Sequence, residues 1–144
     1  MLRKAKQSAR IDARPDKNLI MSLQKIATSE AFQDFHLKVG LHPIYLQYWS
    51  KMKIDIYNRL VKSENLLIIS LDATGSIITP VPNNKRIYLY QIVAQSTKSR
   101  AQLQISQMIS SEHNTGAISC WLLHWRYTGA MTPKIVVVDC SMAI

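Results

Sequence analysis

Cysteine, acidic side chains and long apolar runs are all scarce in this 144-residue sequence, and each scarcity removes a class of protein. Two cysteines, Cys120 and Cys140, make neither a disulfide framework nor a CxxC zinc pair, so the chain reads as intracellular with reduced thiols. No window approaches eighteen uninterrupted apolar residues, and the opening Met-Leu-Arg-Lys-Ala-Lys lacks the apolar stretch of a signal peptide. Membrane and secreted classes are thereby set aside. Nine Asp and Glu stand against eighteen Lys and Arg, a net charge of +9, which points to a polyanionic partner. No repeat and no low-complexity tract is present. What the chain does have is 47% apolar residues, enough to fill the core of one domain.

Three regions are expected. Residues 1–18 form a basic arm around Arg3, Lys4, Lys6, Arg10, Arg14 and Lys17. Residues 19–65 read as a helical segment: Leu19, Ile20, Leu23 and Ile26 recur at helical spacing, and Thr28-Ser29 offers a stop and a fresh cap before Ala31 and Phe32. His42, Tyr45, Tyr48 and Trp49 are expected to pack helices after the Pro43 turn. Ser50 then caps a helix with Met52, Ile56 and Leu60 on its apolar face, joined in part by Tyr57.

Residues 66–144 change to β character. Leu66-Leu67-Ile68-Ile69-Ser70-Leu71 is a buried-strand run that ends at Asp72, with Ala73-Thr74-Gly75 as a turn before Ser76 to Thr79, a short return or extension. Strands follow at Ile87 to Val93 and Leu103 to Ile109. Asn114 or Thr115 caps a helix that buries Ile118, Trp121, Leu122 and Trp125 and ends at Gly129; Lys134 to Asp139 is a last buried strand. The helix is a crossover, so the last strand should lie parallel to its partner in a mixed sheet of an α/β (α+β) protein.

Asp72 and Asp139 each follow an apolar β run. If their strands are parallel neighbours, the two carboxylates come side by side and repel unless a cation lies between them. Oxygen donors suit Mg2+ or Mn2+, and such ions can clamp the attacking and leaving oxygens of a phosphodiester. The alternative is that each aspartate is a turn-former or cap that binds backbone amides. Asp-Ala-Thr-Gly-Ser departs from the aspartic-protease Asp-Thr-Gly-Ser by the inserted Ala73, and a sugar-kinase or actin-like phosphate hairpin would need two domains and a longer chain.

Taken together, Leu71-Asp72-Ala73-Thr74-Gly75-Ser76, the segment Ile87 to Val93, Met108 to Thr115, and Val136-Val137-Val138-Asp139-Cys140-Ser141 resemble the Mutator-like transposase-derived proteins of insect and other animal genomes. The segment Ser29 to Leu60 is similar to the helical region before their catalytic core. The resemblance implies a ribonuclease H-like DDE core, here incomplete and preceded by a helical segment, with catalytic metal-holding carboxylates Asp72 ending the first strand and Asp139 the fourth. It implies cleavage of DNA phosphodiesters and strand transfer with Mg2+ or Mn2+, in the nucleus. A third carboxylate, on a helix after a fifth strand, has no counterpart before Ile144, so a truncated or domesticated, inactive form is expected. The competing function is a non-catalytic nucleic-acid or protein-interaction module.

His113, after Glu112, is a candidate accessory group for metal or phosphate, against a simple place at the start of the helix. Trp121 and Trp125 belong to the core, Cys120 to packing, and Cys140 has no neighbouring base in sequence. Residues 1–65 carry twelve basic and six acidic residues and the rest six and three, so both parts can contact phosphates, and sequence-indifferent DNA binding is expected. The strand Ile135 to Val138 should keep an open edge, which invites self-association.

Overall fold

The computed structural model describes residues 19–30, 33–41, 43–75 and 86–138. The basic arm, His42, the Ser76 to Thr79 segment, Asp139 and Cys140 lie outside the described residues. The elements in chain order are α1 (Leu19–Thr28), β1 (Phe35–Leu41), β2 (Ile44–Ser50), α2 (Lys51–Ser63), β3 (Ile68–Gly75), β4 (Tyr88–Gln95), β5 (Gln102–Ser110), α3 (Thr115–Tyr127) and β6 (Ile135–Val138).

One mixed six-stranded sheet runs in the order β1-β2-β5-β4-β3-β6. All pairings are antiparallel except β3 with β6, which are parallel as the crossover helix requires. The α/β expectation therefore holds, with a mixed sheet.

The expected helical segment over residues 19–65 is corrected. Helices occupy its two ends, and between them β1 and β2 form a hairpin whose register runs from Phe35 opposite Ser50 to Leu41 opposite Ile44. Phe35, Leu37, Val39 and Leu41 alternate with His36, Lys38 and Gly40, the two-residue period of a strand. Tyr45 lies over Gly40, its cross-strand partner, where any Cβ would collide with the ring. Tyr45, Tyr48 and Trp49 thus stand on a strand that joins β5 and not between two helices, although Trp49 is buried in the core that the helices cover and donates its Nε1–H to Thr128 Oγ1 at 2.9 Å.

Helix α2 begins at Ser50, whose Oγ accepts from the Lys53 N–H at 3.2 Å. Its buried residues are Ile54, Tyr57 and Val61, with Leu60 half-buried against the core, while Met52 is 65% exposed. The face is rotated from the expected one because Tyr57 packs at a tilt against Trp125, ring centres 5.2 Å apart, and donates its hydroxyl to the Met131 carbonyl at 3.0 Å.

Helix α3 starts where expected, with Asn114 Oδ1 accepting from the Ala117 N–H at 2.8 Å, and stops at Gly129, whose φ of +101° suits glycine. Trp121 and Trp125 are buried on the sheet among Tyr57, Tyr90, Ile92, Ile105 and Met108. Trp121 also donates its Nε1–H to Ser106 Oγ at 2.9 Å, so its polar edge is satisfied in the apolar layer. α2 and α3 therefore cover one face of the sheet.

β6 departs from the buried strand expected of its sequence. Among the described strands it is the terminal one of the sheet, and Val136, Val137 and Val138 are 50%, 52% and 43% exposed.

Candidate functional site

The strand pleat decides where Asp72 points. Along β3, Ile69 and Leu71 enter the core, so Asp72 belongs to the other set, with Ser70, on the face away from α2 and α3. Asp72 is exposed and lines a shallow cleft of about 390 Å³ with Ser70, Gln91, Val93 and Val137. It does not end its strand. The ladder with β4 continues through Asp72–Gln91 and Ala73–Tyr90 to Gly75–Tyr88, so the residues expected to form a turn are the last residues of β3. Pairing to β4 gives their backbone groups partners that an isolated turn would not.

The parallel ladder between β3 and β6 pairs Ile68 with Ile135, Ile69 with Val136, Ser70 with Val137 and Leu71 with Val138. Leu71 is followed in sequence by Asp72, and Val138 by Asp139. The adjacency and direction that the two-carboxylate argument required are therefore present up to the last described pair. Among the described residues, no cluster of three His, Cys, Asp or Glu side chains could hold a metal ion.

His113 sits elsewhere. Its ring stacks on Tyr88 with centres 4.4 Å apart, and its Nδ1 lies 2.7 Å from the Tyr90 hydroxyl. Tyr90 is fully buried against Trp121 on the helix-covered face, and burial pushes its pKa up to about 12. The structure thus fixes His113 between two tyrosines and does not bring it onto the face that carries Asp72. The same loop is braced by Asn114 Nδ2 donating to Glu112 at 2.7 Å.

A second constellation joins residues that are distant in sequence. Gln47 on β2 is buried, and its Oε1 lies 2.8 Å from His124 Nδ1 on α3. One turn before His124 is Cys120, with Sγ 3.8 Å from Nε2 and 3.9 Å from Nδ1. Cys120 is exposed and does not pack in the core as expected; it borders a cleft of about 390 Å³. The i, i+4 spacing of Cys120 and His124 was visible in the sequence, whereas Gln47 could not be joined to them before β2 was known to be a strand beside β5.

No family model and no solved structure matches the chain. No helix among the described residues is long and apolar enough to cross a membrane. The chain is 32% identical over 112 residues to the "120.7 kDa protein in NOF-FB transposable element" of Drosophila melanogaster. That match takes in 75% of this chain but only 10% of the relative's length. The similarity of the chain to this transposable-element protein supports an origin in a transposable element.

Proposed function

We propose that the chain is the front part of a ribonuclease H-like, DDE-type transposase core of Mutator-like kind, in which Asp72 and Asp139 form a divalent-cation site for DNA phosphodiester chemistry. The observation that carries this reading is the parallel Leu71–Val138 pair, with an aspartate directly after each member. Counted from Leu66, β3 is the first strand and β6 the fourth, and α3 crosses over between β5 and β6. Similarity to a protein encoded in a transposable element supports the same reading.

Exposed carboxylate oxygen next to Ser70 and Gln91 is a donor set that fits a hard cation such as Mg2+ or Mn2+. A cation held there would supply charge neutralisation for the attacking and leaving oxygens. The chain's own contribution is to hold Asp72 on a paired strand, which fixes its position better than a loop would. Two carboxylates with few further oxygen donors would hold such a cation weakly.

Manganese titration followed by electron paramagnetic resonance tests the pair. Asp72→Asn and Asp139→Asn should each abolish binding, and unchanged binding in either variant removes that residue from the site.

The net charge of +9 favours a second, non-catalytic role, sequence-indifferent binding to DNA in the nucleus. Its mark is duplex affinity that falls steeply from low to physiological salt and is retained in Asp72→Asn. Affinity that is flat with salt excludes it.

A further inference from the structure

Cys120, His124 and Gln47 form a line of contacts that the carboxylate site does not use. Cys120 is the sixth residue of α3, exposed, and open to a cleft bordered by Pro43, Tyr45, Glu112, Asn114 and Gln47. His124 follows one turn later on the same side of the helix. Gln47 Oε1 can only accept, so the 2.8 Å contact places the proton of a neutral imidazole on Nδ1. The Gln47 amide nitrogen is turned the other way, toward Met108 Sδ at 3.7 Å, which keeps Oε1 on the histidine. That tautomer leaves the lone pair of Nε2 free, and Nε2 is the ring nitrogen nearer to the sulfur, at 3.8 Å.

The contact is long for a hydrogen bond to sulfur. The sulfur is nearly equidistant from both ring nitrogens, so a small rotation about the Cys120 side chain is needed to align S–H with Nε2. Exposure of Cys120 leaves room for it, and such contacts commonly shorten when a reactant is bound. Burial, and secondarily the charge of Lys38, lower the pKa of His124 and so favour the neutral ring.

We propose that Cys120 is a base-assisted nucleophilic thiol, with His124 as its base, and that it exchanges with small-molecule disulfides entering the adjoining cleft. In the step, the thiol proton passes to His124 Nε2 as the sulfur attacks one sulfur of the disulfide. The Cys120–sulfur bond forms, the original S–S bond breaks, and its electron pair leaves on the second sulfur. That thiolate recovers the proton from His124, so a thiol and a disulfide become a mixed disulfide and a thiol, with the small disulfide as oxidant. Cys120 reacts with the substrate and His124 moves the proton. Gln47 is a positioning residue, which acts by holding the ring.

The test uses the 144-residue chain with Cys140→Ser, so that Cys120 is the one thiol, and a neutral dipyridyl disulfide as probe. Reaction of the folded chain should exceed that of the same chain unfolded in urea by about tenfold, because only a few per cent of an unassisted thiol is ionised at neutral pH. His124→Ala should remove the excess and added imidazole should restore it; His124→Gln serves if the alanine variant loses the fold by circular dichroism. Gln47→Glu, with a stronger acceptor behind the ring, should raise the rate above that of the parent. A merely structural Gln47 would not produce that gain, and a folded Gln47→Glu protein without it removes the positioning role. Equal rates in the folded and unfolded chains, or a folded His124 variant that reacts as fast as the parent, overturn the proposal.

Discussion

Leu71 of β3 and Val138 of β6 are register partners in the one parallel ladder among the described strands, and the next residue in each strand's sequence is an aspartate. A shift of register by a single residue would turn Leu71 and Val138 to opposite faces of the sheet, so the proposed site depends on this register. The pairing is therefore as much a part of the proposed cation site as the aspartates.

Disturbing the ladder should weaken metal binding without removing a carboxylate. Ser70→Pro deletes a backbone donor in β3, which is paired on both sides, and should reduce manganese affinity while Asp72 is intact. Equal affinity in a folded Ser70→Pro protein would show that the strand pairing does not set the site.

The edge strand predicts self-association. Among the described residues β6 ends the sheet, its three valines are half exposed, and its outer edge can pair with a second copy. Light scattering behind size-exclusion chromatography should show mass rising with concentration, and Val137→Lys should return the chain to a monomer. A monomeric parent protein at all concentrations would refute this.

Glu64 gives the fold an acid limit. It caps α2, is 4% exposed, and its carboxylate accepts from Ser96 Oγ at 2.5 Å, from the Thr97 N–H at 3.0 Å and from Thr97 Oγ1 at 3.3 Å. The Ser96 hydrogen bond, foremost, holds its pKa below the ordinary 4.5 despite burial. The folded pKa is lower than the unfolded one, so the stabilisation is complete above the unfolded value and is lost as pH falls through the folded value. Urea midpoints should drop as the pH falls below the ordinary 4.5, and Glu64→Gln should flatten that part of the profile.

Tyr57 and Tyr90 set the alkaline counterpart. Burial, foremost, raises both to about 12 from 10.0. Their folded pKa values exceed the unfolded ones, so stability is intact below 10.0 and declines as pH rises toward about 12. Tyr57→Phe should cost about 1 kcal/mol at neutral pH through the lost bond to the Met131 carbonyl and should remove one late-titrating phenol from the ultraviolet titration.

Gly129 isolates a backbone effect. A Cβ there would meet no atom within 4 Å, so Gly129→Ala should destabilise only through its φ of +101°, by about 1 kcal/mol in chemical denaturation. A neutral substitution would mean that the end of α3 relaxes freely. Trp121→Ala, by contrast, opens a large void at the centre of the core and should cost about 3–5 kcal/mol.

Local patterns carried much of the architecture. Asn114 and Gly129 bracket α3 because a cap and a left-handed stop are properties of single residues, and Trp121 and Trp125 are buried because their spacing puts them on one face. The strands β3, β4 and β5 were legible from their runs of β-formers. The hairpin was not, although Phe35 to Leu41 alternates cleanly, because Ala31 and Phe32 after the Thr28-Ser29 stop also fit a helix and the two periods compete over so short a stretch.

The sequence by itself determined the α/β class, the basic charge, the caps and the identity of the two aspartates, since all of these follow from residue type and near spacing. Tertiary structure decided everything that depends on which strands are neighbours. Pairing with β4 extended β3 past Asp72 to Gly75 and turned Asp72 away from the helices. A place at the sheet's edge exposed β6 in spite of its apolar sequence. Docking of β2 beside β5 brought Gln47 to His124 across 77 positions of chain, a contact set by the packing of strand against helix and encoded in no local spacing.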